Sequence, residues 1–99
     1  MVNLKANPYF LSDEDIKWVE ETIEGMSEEE KVGQLFFQLT SSPMEDHIKE
    51  LAGKYHLGGY RYNPMPGKMV QMQNRFIQQH SKVPAFIACN TEAGGDGAC

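Results

Sequence analysis

The chain has 99 residues, room for one small domain and too few for two. Its 40% hydrophobic and 23% charged residues are those of a folded chain, not a disordered one. Nine basic against fourteen acidic side chains leave a net charge of -5, which argues against nucleic acid and anionic membrane surfaces, both held mainly by Lys and Arg.

In chain order, "SDEDIKWVEETIEGM" reads as a helix capped by Ser12, with Asp15 three residues on as a weak capping-box partner. Ile16, Val19 and Ile23 share one face, and Gly25 ends the element. "SEEEKVGQLFFQLT" repeats the start pattern with Ser27 and Glu30, and passes into a short buried strand at about residues 35–40. Ser42 followed by Pro43 then marks a helix start, because proline suits the first helical position. Met44, Ile48, Leu51, Ala52 and Tyr55 form its stripe.

"LGGYRYN" is a second strand, entered through glycines. "PGKMVQMQNRFIQQHS" is a third regular helix with Met69, Met72, Phe76 and His80 on its inner side, a methionine stripe of core packing. The apolar run from Val83 to Cys89 closes the series as a strand, its lack of polar alternation fitting burial on both faces.

Strands separated by helices predict parallel pairing through right-handed crossovers, hence an α/β fold. No apolar run approaches the roughly 20 residues of a membrane span. The N-terminus lacks the basic, apolar and small-residue order of a signal peptide, so a cytoplasmic location is expected. Cys89 and Cys99 fit that compartment as free thiols. His47, His56 and His80 lack ligand spacing and are read as surface or helix-end residues, so no metal and no cofactor is expected.

Ligands of parallel α/β folds bind beyond the carboxyl ends of the strands. Here that edge carries "TSS", "RYNPMPG" and "NTEAGGDG". The last places Asn90 and Glu92 at a strand end, with Gly94 and Gly95 turning the backbone beside them. It has neither the lysine of a P-loop nor the spacing of a dinucleotide fingerprint. A ligand-free acidic loop is an equal reading from the residues alone.

Four segments in register resemble the N-terminal (β/α)8-barrel domain of glycoside hydrolase family 3, in its β-N-acetylhexosaminidase and β-glucosidase branches. They are "MSEEEKVGQLFFQL", "YHLGGYRYN", "VQMQNRFIQQHSKVPAFIA" and "NTEAGG". The likeness runs from about Met26 to Cys99. It implies that residues 1–25 are a helical lead-in and residues 26–99 the first part of a truncated barrel domain, a partial TIM-type barrel of about three βα units. A whole barrel takes about 250 residues.

The resemblance further implies a retaining enzyme cleaving β-N-acetylglucosaminides or β-glucosides in carbohydrate metabolism, with a carboxylate nucleophile and an acid/base. Both roles fall beyond this chain, so no residue here is assigned as catalytic and the fragment itself is expected to be inactive. Substrate binding is what transfers. Asn90 matches the family's sugar-contacting aspartate, and Glu92 its following glutamate, although Ala93 is an extra residue before the glycines. Arg61 and Asn63 stand at the second strand's end, where exposed loop polarity is the plainer reading. The expected partner is a carbohydrate substrate, with self-association through open sheet edges. A non-catalytic carbohydrate-binding or structural α/β fragment is the alternative.

Overall fold

A computed structural model describes residues 2–92, 94, 95 and 98. Seven elements follow in the expected order: α1 (Asp13–Glu24), α2 (Glu28–Gly33), β1 (Phe37–Leu39), α3 (Glu45–Tyr55), β2 (Gly59–Tyr62), α4 (Gly67–His80) and β3 (Phe86–Cys89). The three strands form one parallel sheet in the order β1-β2-β3, with Phe37 beside Gly59 beside Phe86 and Leu39 beside Arg61 beside Ala88. The α/β character is as expected.

Both N-terminal helices begin with complete capping boxes. The Asp15 N–H donates to Ser12 Oγ at 3.1 Å while the Ser12 N–H donates to Asp15 Oδ2 at 3.2 Å. Ser27 and Glu30 repeat the exchange at 3.2 and 2.8 Å. The Ser12 hydroxyl, donating to Asp15 Oδ2 at 2.6 Å, and then the Ser12 N–H hold the Asp15 carboxyl below the usual carboxylate range; at Glu30, likewise lowered, the Ser27 N–H leads and Lys82 adds to it. Lys82 also reaches the Gly25 carbonyl at 3.0 Å, tying the β3 approach to the α1–α2 turn. No residue of α1 is buried; Ile23 on its apolar stripe is half exposed.

The helix expected to start at Ser42-Pro43 starts instead at Glu45, with Met44 as a cap that offers no side-chain bond. Ser42 Oγ accepts the Met44 N–H at 3.3 Å, so it makes a local turn rather than a cap.

The core lies on one sheet face only. Ile48 of α3, Tyr60 of β2 and Ile77 of α4 are fully buried, with Leu57 and Ala85 beside them and Leu51, Phe76 and Ile87 packed around. Burial pushes the Tyr60 phenol up from its ordinary value. The buried line of α4 is Gln73–Ile77; Met72 and Phe76 flank it and Met69 is partly exposed. Met44 and Tyr55, placed on the α3 stripe, are likewise exposed.

Among the described residues no helix covers the opposite sheet face. Phe37 and Phe86 stack across Gly59 with ring centroids 6.1 Å apart, yet remain 54% and 73% exposed. No described helix is long and apolar enough to cross a membrane.

Candidate functional site

Strand polarity brings the three carboxyl ends to one edge of the sheet. β1 ends at Thr40, whose N–H donates to the Arg61 carbonyl at 2.8 Å and so continues the ladder one residue past the strand. The Thr40 hydroxyl is buried and lies 3.0 Å from Gln73 Oε1 and 3.3 Å from the Arg61 carbonyl. Gln73 itself is fully buried, and its Nε2 makes no hydrogen bond. This link clamps the end of β1 to α4 beneath the edge. Neither residue stands out in the sequence, because a single glutamine on a helix reads as surface.

Above it, Arg61 of β2 projects from the helix-free face. Its Nη1 donates to Asn90 Oδ1 at 3.0 Å. Ala88 is the in-register partner of Arg61, so Asn90, two residues on, falls on the same face just past the end of β3. The fold thus joins two residues that are 29 apart in the chain. Asn63 and Glu92 are exposed near the same strand ends and make no hydrogen bond to this pair.

After Thr91 the backbone turns as its glycines suggest. The Gly94 N–H donates to the Thr91 carbonyl at 2.9 Å, and Gly94 takes φ +84°, a conformation that side-chain-bearing residues rarely adopt. Ala93, Asp96 and Cys99 lie outside the described residues.

The histidines sit as expected for surface or helix-end residues. His56 caps α3 in the left-handed conformation, His80 ends α4 and bonds Glu45 Oε1 at 2.9 Å, and His47 lies 3.2 Å from Ser41 Oγ. Cys89 is a half-buried free thiol. Among the described residues no three His, Cys, Asp or Glu side chains converge as a metal would need.

A parallel α/β chain with polar side chains meeting at the carboxyl edge of its strands has the layout of a ligand-binding α/β protein. No protein-family model matches it. Over 94 residues it is 33% identical to the "Beta-N-acetylglucosaminidase/beta-glucosidase" of Cellulomonas fimi, a match covering 95% of this chain and 17% of that protein. Among solved structures, beta-glucoside phosphorylase BglX aligns with a TM-score of 0.78 at 32% identity, over 96% of this chain and 16% of that one. Its complex with 2FGlc gives 0.77 at 33% identity, over 96% and 18%. The resemblance to glycoside hydrolase family 3 read from the motifs is thereby borne out. Nearly the whole chain is similar to a small part of such proteins.

Proposed function

We propose that this chain forms the opening βα units of a (β/α)8-barrel enzyme acting on β-glycosidic bonds, those of N-acetylglucosaminides or glucosides. Residues 1–25 lead in, and residues 26–99 begin the barrel. The observation that carries the reading is the Arg61–Asn90 pair, held at 3.0 Å on the carboxyl edge where such barrels bind their ligands. Two further features support it. The strands follow one another in sequence order, as a barrel requires, and the bare face of Phe37, Leu39 and Phe86 is the one that barrel closure would turn inward and fill.

In this reading Asn90 and Glu92 bind the sugar, and Thr40 and Gln73 hold the strand end beneath it. The carboxylate nucleophile and the acid/base come from outside these residues. In the retaining mechanism the first carboxylate forms a glycosyl-enzyme, which a second nucleophile then releases. Water makes that step hydrolysis. The phosphorylase named among the solved structures favours a second reading, in which inorganic phosphate takes the place of water.

The test is turnover by the intact protein that carries this chain, with aryl β-glucoside and aryl β-N-acetylglucosaminide, with and without phosphate. Free sugar identifies hydrolysis, and sugar 1-phosphate identifies phosphorolysis. The 99 residues alone are expected to turn over neither. Asn90→Ala and Glu92→Ala in the intact protein should each lower kcat/KM, by roughly 1–3 kcal/mol in barrier. Near-normal kcat/KM in both variants would remove the binding assignment. Binding of glycosides without turnover by the intact protein would establish the non-catalytic alternative.

A further inference from the structure

An asparagine amide offers one acceptor atom, Oδ1, with two lone pairs, and two donors on Nδ2. A guanidinium has five N–H groups and no lone pair, so only Oδ1 can face it. The 3.0 Å contact between Arg61 Nη1 and Asn90 Oδ1 therefore sets the orientation of the Asn90 amide and engages its acceptor. Nδ2 is left as an outward donor. Arg61 is half-buried and Asn90 exposed, so both are within reach of a ligand on the helix-free face. Among the described residues no carboxylate forms an ion pair with Arg61.

We infer that Arg61 is a specificity-determining residue. By engaging one lone pair of Asn90 Oδ1 and adding its own charged N–H groups, it biases this part of the sugar site toward donors. Such donors take a glycoside whose substituent there accepts without donating, a carbonyl or carboxylate oxygen, over one that presents only a hydroxyl. An aspartate at residue 90 would do the reverse, because an ionised carboxylate only accepts. The inference rests on the glycoside-binding reading of Asn90 given above.

The experiment compares kcat/KM of the intact protein for three aryl β-glycosides: the glucoside, the N-acetylglucosaminide, with a neutral carbonyl, and the glucuronide, with a carboxylate. Arg61→Met should lower the preference for the carbonyl- or carboxylate-bearing substrate over the glucoside by about tenfold or more. Arg61→Lys should recover part of it, and Asn90→Asp should move the preference toward the glucoside. Which of the two acceptor-bearing substrates responds tells a neutral carbonyl from an anion. Turnover with the same substrate ratios in wild type, Arg61→Met and Asn90→Asp overturns the inference and leaves the glycosidase reading standing. No turnover or binding of any glycoside removes both. A separate readout needs no activity: in the 99-residue chain, Arg61→Met should shift the NMR signals of the Asn90 Nδ2 protons. Unmoved signals would rule out the pairing on which the inference stands.

Discussion

Gly33→Ala tests the way the two most distinctive motifs lock together. Gly33 ends α2 within "EEKVGQL", and its carbonyl accepts the Gly58 N–H of "HLGG" at 3.1 Å. A Cβ at Gly33 would lie 2.2 Å from the Tyr55 carbonyl oxygen, 2.6 Å from that of His56 and 2.9 Å from the His56 carbonyl carbon. All three atoms are backbone, so no side-chain rotation relieves the clash. Ordinary contact would require the turn between α3 and β2 to retreat by about 1 Å. The same turn accepts a 2.8 Å hydrogen bond from Gln34 Nε2 through the His56 carbonyl. Overpacking of this kind costs about 1–3 kcal/mol, and the weakened hydrogen bond about 1 more. Alanine's better helix propensity offsets about 1 kcal/mol. The net loss is roughly 1–3 kcal/mol, a fall in Tm on the order of 10 °C for a chain of this size. Thermal unfolding followed by far-UV circular dichroism measures it. Gly53→Ala is the control: it is exposed in the last turn of α3 with nothing within 4 Å of a new Cβ, and should gain up to about 0.5–1 kcal/mol. If Gly33→Ala matches wild type, or gains as Gly53→Ala does, the close approach is not what fixes this turn.

Two further outcomes follow from the charges and the bare face. The Glu45 carboxyl is held below its ordinary value, first by the hydrogen bond from His80 and then by Lys49, so its contribution to stability is present above the usual carboxylate range and lost as pH falls through it. Glu45→Gln should flatten the acid side of the stability–pH curve, and an unchanged slope in urea titrations between neutral and acid pH would contradict this. With Phe37 and Phe86 exposed and both sheet edges open, the isolated chain is expected to self-associate, and Phe86→Lys to raise its monomer fraction in sedimentation; a monomeric wild type would refute it.

What the sequence by itself determined is the local and periodic part of the protein. The Ser12–Asp15 and Ser27–Glu30 boxes close over three residues, so they are legible before any tertiary contact forms. The order of helices and strands follows from apolar runs and breaks in the same way, and so does the placing of Asn90 at a strand end. Tertiary structure decided the rest. The α3 start moved to Glu45 because residues 40–44 must first turn from the sheet edge toward the helix layer. The inner line of α4 became Gln73–Ile77 because burial depends on what a helix packs against, and the Thr40 hydroxyl supplies a partner that makes a buried glutamine tolerable. Arg61 met Asn90 through the parallel register of β2 and β3. Register between strands joined by a helical crossover is fixed when their buried faces align against the helix layer, so no fixed spacing between Arg61 and Asn90 announces their contact.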